Sequence, residues 1–295
     1  MRFDHTFIAI RERSTLGLYD LSLHVTVDHL RPLCWLLLIG ATPWILIDLY
    51  LLHWMTDPSY DRAINVAFYW AMALLVMSQA QVGTWLMVQY LGKAMFVGRP
   101  TIGEVIREAI RSSWYFWFSQ GILRTVLIAL AVCLLMDGNT ETTYITCYFF
   151  LTITVLIGLV VRAFRPYLSE ILVLERTPIR KAEGTIHFAA RSKSLHAFAS
   201  NDLIAKAMMA GVIGSLLTIS VHTFLVTVDS VFNIRANSEF TLQPYYWIAS
   251  LWSVAGFLCV VRFLSYIDLR IRQEGWAVEL RMRAEAQRLE ETAVR

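Results

Sequence analysis

Apolar residues in this chain come in long blocks, and polar residues gather between them. A bilayer core of about 30 Å is crossed by about 20 helical residues. Six blocks reach that length, and the pattern predicts transmembrane helices at 33–54, 63–91, 114–136, 143–164, 203–228 and 244–266. The second is longer than it need be and is expected to tilt or to extend into water. Pro43 removes a backbone donor in the middle of the first and is expected to bend it. Connections alternate between short and long, which pairs the spans as three helical hairpins.

The longer connections carry helical periodicity of their own. Residues 101–112 place Ile102, Val105, Ile106, Ala109 and Ile110 on one face and Arg107, Glu108 and Arg111 on the other. Thr101 and Glu104 have the spacing of a capping box. A helix of this kind lies in the membrane interface. The segment before the first span repeats the scheme, with Leu16, Tyr19, Leu23, Val27 and Leu30 on one face. Asp20, His24, Asp28 and Arg31 fall off that face. A third candidate starts at Thr177-Pro178 and aligns Ile179, Ala182, Ile186 and Ala190. Arg13-Ser14-Thr15-Leu16-Gly17 matches Arg99-Pro100-Thr101-Ile102-Gly103, and Arg176-Thr177-Pro178-Ile179 matches more loosely. This suggests a unit of one interfacial helix and two spans, repeated three times.

Charge then orients the chain. Twenty Lys and Arg fall before the first span, in 92–113, in 165–202 and after 266, while only Arg62 and Arg235 fall on the opposite side. Basic residues mark the cytoplasmic side of a membrane, so both termini are expected in the cytoplasm and the protein in the inner membrane. Three regions follow: an N-terminal cytoplasmic interfacial helix (1–32), a six-helix transmembrane domain (33–266) and a charged cytoplasmic C-terminal helix (267–295). That tail has i, i+4 pairs at Glu279–Arg283 and Arg281–Glu285, and Trp276 can dip into the interface. No secretory signal is expected from the mixed, polar first thirty residues.

Composition agrees: 57% apolar, 17% charged and 13% aromatic, with 10 Trp and 12 Tyr, suits a protein with many side chains at headgroup level. It excludes a disordered, collagen-like, disulfide-framework or nucleic-acid-binding protein. The net charge of +3 adds no nucleic-acid signal, because topology already accounts for the basic residues.

Motifs for catalysis, nucleotide binding or metal binding are missing from the sequence, and no cofactor is expected. Cys34, Cys133, Cys147 and Cys259 all lie in apolar blocks without CxxC spacing and read as core residues, although Cys133 and Cys147 are placed so that they could pair. The seven histidines are dispersed, and His24 and His29 read as solvated or interfacial. Arg162 and Arg262, at the ends of the fourth and sixth blocks, read as anchors whose side chains snorkel to water. Glu170 and Glu175 are expected to continue the fourth helix on one polar face and to pair with nearby arginines. Asp48 and Arg124 lie too deep for snorkelling. Arg124 is expected to point into the bundle and to contact Asp48, Gln79 or Gln81, since a charge facing lipid at that depth costs at least about 2.5–3.5 kcal/mol. Ser78, Gln79, Gln81 and Gln89 give the second span a polar face that should pack against protein.

Four segments carry a resemblance. They are Arg11-x-x-Ser14-x-x-Gly17 before the Pro43 span, GRPTIGE at 98–104, SEILVLER at 169–176 with Ala190-Arg191-Ser192 beyond it, and YIDLRIRQEGWAVELRMR at 266–283. The chain resembles bacterial six-span proteins similar to the membrane domain of glycerophosphoryl diester phosphodiesterases, in its stand-alone form. The resemblance implies the fold and topology. No segment corresponds to the soluble barrel domain that carries the metal-binding residues of those enzymes, so phosphodiesterase activity is not expected to carry over.

The functional expectation is a non-catalytic accessory or scaffold protein of the envelope. Its partners would be the lipid bilayer, envelope membrane proteins and anionic lipids at the cytoplasmic face. The rival is a transporter or lipid-handling permease with a polar site near Asp48 and Arg124, and a polar cavity reaching the midplane would favour it.

Overall fold

A computed structural model describes residues 14–56, 62–97, 100–110, 116, 126–134, 141–175, 188, 191–193, 200–232 and 243–274. All regular structure among them is helical. In chain order the elements are α1 (Thr15–Asp28), α2 (Leu30–Leu52) with a short 3-10 turn (His53–Thr56), α3 (Arg62–Gly83) and α4 (Trp85–Val97). They continue with α5 (102–110), α6 (Val126–Leu134), α7 (Glu141–Phe164), α8 (Leu168–Glu170) running into a π-helical turn (Ile171–Glu175), α9 (Ser200–Val231) and α10 (Gln243–Glu274).

Among the described residues, four helical stretches are long and apolar enough to cross a membrane: Leu30–Leu52, Ala67–Met95, Asp202–Val231 and Gln243–Arg272. A fifth is obtained if Tyr148–Phe164 and Leu168–Leu174, which meet at 71°, form one broken span. Four to five of the six expected are thus seen among the described residues. Most of the expected span at 114–136 lies outside the described residues, which hold only its part at α6. The first span stays one unbroken helix through Pro43. The last runs on to Glu274 without a break; residues 275–295 of the tail lie outside the described residues, as does most of the third amphipathic segment.

Contacts fix how the spans run. His29 meets Tyr90, Gly40 meets Gly83 and Asp48 meets Gln79, so α2 is antiparallel to α3 and α4. Tyr69 meets Trp247, Gly83 meets Trp252 and Thr84 meets Cys259, so α10 runs parallel to them. Lys206 lies by Asp268, Gly214 by Leu258 and His222 by Trp247, which makes α9 and α10 an antiparallel hairpin. The stretch α3–α4 is the axis, with most of its apolar and polar side chains buried.

Small residues permit the central crossing. A Cβ on Gly40 would collide with the backbone carbonyl of Gly83, and a Cβ on Gly83 with the Trp252 ring. Close backbone approach of this kind is how helices associate in lipid, where apolar burial alone favours no helix pair. On α2 the buried residues Leu33, Leu36, Gly40, Ala41, Trp44, Asp48 and Leu52 form one helical stripe. Trp35, Leu38, Leu46 and Tyr50 face outward, as expected of a lipid-facing side.

The N-terminal helix packs beside the last long helix. Leu37 packs on Gly256 and Tyr19 lies 6.5 Å from Phe257, adjacent positions of α10. A straight helix would separate residues 19 and 37 by about 27 Å, so the chain turns back at His29 and lays α1 against α10. Leu18 and Ser22 are the buried residues, and burial raises the Tyr19 hydroxyl above its ordinary pKa. Of the expected apolar stripe, Leu16, Leu23, Val27 and Leu30 turn away from protein, while Tyr19 is half-buried against α10. Helix α5 instead buries Val105 and Ala109, with Ile102 and Ile106 packed at the edge. In the proposed repeat alignment those two positions correspond to Tyr19 and Leu23, not to Leu18 and Ser22. The two helices therefore use different faces, and the sequence match does not extend to their packing. Ser14 does cap α1, accepting from Gly17 N at 3.2 Å, whereas Thr101 meets the first turn of α5 through its carbonyl, 3.2 Å from Val105 N.

Candidate functional site

Among the described residues, two buried polar groupings lie within the bundle. The first is Asp48 with Gln79. The stripe on α2 directs Asp48 at α3, where Gln79 Nε2 donates to Asp48 Oδ1 at 2.7 Å, and both residues are fully buried. Asp48 Oδ2 and Gln79 Oε1 have no hydrogen-bond partner. Gln81 does not join them. Residues two apart on a helix point about 200° apart, and Gln81 Oε1 is buried separately without a partner. Arg124, the fourth residue of the expected polar site, lies outside the described residues.

A different arginine reaches this level. Arg162, at the end of α7, donates from both terminal nitrogens to the carbonyls of Met77 and Ser78, immediately before Gln79. It is therefore not an anchor snorkelling to water. Pro166 explains the error. It lacks an N–H and disfavours helical backbone at Arg165, and α7 ends there at the 71° bend. The helix does not continue into SEILVLER as expected, so depth counted along a single straight helix misplaces Arg162.

The second grouping forms beyond the bend. Glu170 is fully buried, and its Oε1 accepts from Arg262 Nε at 2.5 Å while its Oε2 accepts from Ser169 Oγ at 2.7 Å. This is the carboxylate–arginine pairing expected of Glu170, and it removes Arg262 from the role of anchor. Arg262 also lies 3.9 Å from Cys259 Sγ, whose thiol points at the carbonyl of Thr84 at 3.7 Å. Thr84 is the turn between α3 and α4, and its carbonyl also accepts from Met87 N and Val88 N. One connected set of groups thus joins the bend, α10 and the break in the axis. The π-helical turn that follows Glu170 is an uncommon conformation that recurs at functional positions.

Further pairs tie the same end together. Asp268 on α10 is 3.0 Å from Arg272 and 3.9 Å from Lys206 of α9, which in turn is 2.9 Å from Asp202. His29 is half-buried with Nδ1 3.0 Å from the Tyr90 hydroxyl, so it is a packed residue and not a solvated one. His24 is exposed beside Asp20 as expected. At the opposite end Trp247 Nε1 donates to Tyr69 O at 2.9 Å, and His222 packs edge-on against Trp247.

Sequence reasoning missed Ser169, Thr84 and Cys259. Each could have been suspected as a polar or thiol group inside an otherwise apolar block. The arrangement holds helices together through hydrogen bonds and ion pairs. Among the described residues, no three His, Cys, Asp or Glu side chains gather so as to hold a metal ion.

No family model matches this chain, and neither a curated protein nor a solved structure is detectably similar to it. Among the described residues the fold and site define a helical protein with several apolar helices of membrane-spanning length.

Proposed function

We propose that this chain is a non-catalytic accessory or scaffold protein of the bacterial inner membrane, resembling the stand-alone membrane domain described above. In this reading it crosses the membrane six times as three hairpins. Both termini are cytoplasmic, and α1 and α5 lie at the cytoplasmic interface, α1 with Leu16, Leu23 and Val27 toward lipid and α5 with Glu104 and Arg107 in water. The supporting observation is that ionisable groups within the spans are bound to other protein groups: Asp48 to Gln79, Arg162 to backbone carbonyls, and Arg262 to Glu170. Such groups staple helices, and the glycine crossing beside them is closed.

Purification in mild detergent at native expression tests the role. A scaffold should bring down envelope membrane proteins in fixed ratio, and recovery of the chain alone would overturn it. Cysteines placed at Asn139 and Asn237 should label from outside intact cells and one at Ser192 should not; the reverse pattern would overturn the orientation.

A second reading, a permease, is favoured by Asp48 Oδ2, Gln79 Oε1 and Gln81 Oε1, buried acceptors that lack donors. The two readings separate on water access. Gln81→Cys in a cysteine-free background should stay unreactive toward a water-soluble maleimide in a scaffold and should label in a permease.

A further inference from the structure

Asp48 and Gln79 share one hydrogen bond and leave two acceptors over. Gln79 Nε2 donates to Asp48 Oδ1 at 2.7 Å, while Asp48 Oδ2 and Gln79 Oε1 are buried without a hydrogen-bond partner. Both residues are fully buried. The site is short of a donor, and the shortage falls on two residues that already touch.

An ionised Asp48 would make that shortage costly, because a buried charge needs an opposite charge or several hydrogen bonds. Asp48 has one neutral donor and, among the described residues, no ion pair. The cation that reaches this level is Arg162 of α7, and its terminal nitrogens go to the carbonyls of Met77 and Ser78. On the other elements packed against α2, the ionisable groups have partners of their own. His53 of the 3-10 turn lies by the Tyr50 carbonyl, His24 of α1 by Asp20, Tyr90 of α4 by His29, and Arg262 of α10 by Glu170. Helix α6 contains no basic residue.

A protonated carboxyl supplies what is missing. It has one O–H donor and still accepts at its carbonyl oxygen. With the proton on Oδ2, that O–H is a donor for Gln79 Oε1, while Oδ1 keeps its bond from Gln79 Nε2. A hard metal cation takes about six oxygen ligands, whereas one proton needs only the two that lack a partner.

We propose that Asp48 and Gln79 form a proton-binding site, in which Asp48 carries a proton in the folded protein at neutral pH and donates it in a hydrogen bond to Gln79 Oε1. When water reaches Asp48, the Oδ2–H bond breaks, its electron pair stays on the carboxylate, and the proton passes to water. Opening of the contact between α2 and α3 is thereby coupled to release of one proton. The site is the same in a scaffold and in a permease.

The test is infrared spectroscopy of the full chain in lipid vesicles at neutral pH. Wild type should show the C=O stretch of a protonated carboxyl, and the band should move down in heavy water and on isotopic labelling of aspartate. Asp48→Asn should lose the band. Asp229→Asn and Asp268→Asn, at the other buried aspartates among the described residues, should keep it. Gln79→Leu should shift the band upward, because Oδ1 loses its donor; an unshifted band would remove Gln79 from the site and overturn the pair. Absence of an aspartic acid band from labelled wild type would overturn the proposal without any variant having to fold. A band that Asp48→Asn retains would also overturn it. A band that appears only when sodium and potassium are replaced by choline would mean that a metal ion holds the two oxygens, and would overturn the proton assignment. Maleimide labelling of Gln81→Cys reports water access separately, so failure of the permease reading and failure of this proposal are distinguishable.

Discussion

The stretches Ala67–Met95 and Asp202–Val231 are both membrane-spanning by length and composition, yet they have opposite places in the molecule. Over an apolar run of 18 residues in each, 83% of the first is buried inside the protein and only 11% of the second. Mean hydropathy runs the other way, 1.4 for the buried stretch and 1.8 for the exposed one. In water the most apolar helix would be at the centre. In a bilayer lipid is as apolar as leucine, so apolar side chains need no protein cover and polar ones do. The central stretch therefore carries Ser78, Gln79, Gln81, Thr84 and Gln89, all buried. The peripheral one turns Met208, Val212, Leu216 and Ile219 outward.

If polar contacts hold the centre, breaking one should cost far more there than on α9. The largest effect is expected at the pair that joins α10 to the bend. Glu170→Ala leaves Arg262 buried without its carboxylate and should cost about 3–5 kcal/mol, the usual loss when one member of a buried ion pair is removed. Glu170→Leu with Arg262→Met should recover much of it, since neither charge is then stranded. The partly exposed pair of Asp202 and Lys206 on α9 is a contrast: Asp202→Asn should cost less than about 1 kcal/mol. Thermal unfolding of each variant in one detergent checks all three. Similar losses at Glu170 and Asp202 would erase the distinction between the regions.

The glycine crossing comes next. Gly83→Val places two methyl groups where the Trp252 ring already lies and must separate α3 from α10. Overpacking of this kind costs about 1–3 kcal/mol or more when backbone must move, and it should lower the unfolding temperature accordingly. An unchanged midpoint would mean that the crossing is looser than described.

Asp48 is expected to be more modest. Asp48→Ala removes the acceptor of Gln79 Nε2 and should cost about 1–3 kcal/mol, the penalty of a stranded buried donor. Asp48→Asn keeps that acceptor and supplies an N–H to a site where Gln79 Oε1 lacks a donor, so it should be tolerated or stabilising. Loss of stability in Asp48→Asn equal to that in Asp48→Ala would show that charge, and not hydrogen bonding, matters at this position.

Asp48 and Gln79 were legible in the sequence because a polar side chain in an apolar block has few alternatives to pairing within protein. The spans at Leu30–Leu52, Ala67–Met95, Asp202–Val231 and Gln243–Arg272 were legible for the same reason in reverse. Arg162 was not, because its depth depends on where α7 stops and bends relative to α3, a property of packing between segments far apart in the chain. On similar grounds the protein neighbour was not legible for α1. Its apolar stripe is real, but in a membrane such a stripe marks lipid as readily as protein, and the periodicity is the same for both. The outward turn of Leu16 and Leu23 could only be seen once α10 was in place beside Leu18 and Ser22.

The smallest effect expected has the opposite sign and isolates the environment from the substitution. Gly211 on α9 has nothing within 4 Å of where a Cβ would stand. Glycine inside a helix is less favourable than alanine by roughly 0.5–1 kcal/mol, because it loses more backbone freedom on folding. Gly211→Ala should therefore stabilise slightly, while the same change at Gly83 meets the Trp252 ring and should destabilise. Gly214, three residues further on, gives an intermediate case, since its Cβ would stand 2.9 Å from Leu258 Cδ1, the movable end of a side chain. Unfolding midpoints should thus fall in the order Gly211→Ala, Gly214→Ala, Gly83→Ala, with wild type between the first and the last. A loss of stability in Gly211→Ala, accompanied by a shift to smaller species on size exclusion, would mean that another copy of the chain covers the open side of α9, and that lipid is not its only neighbour.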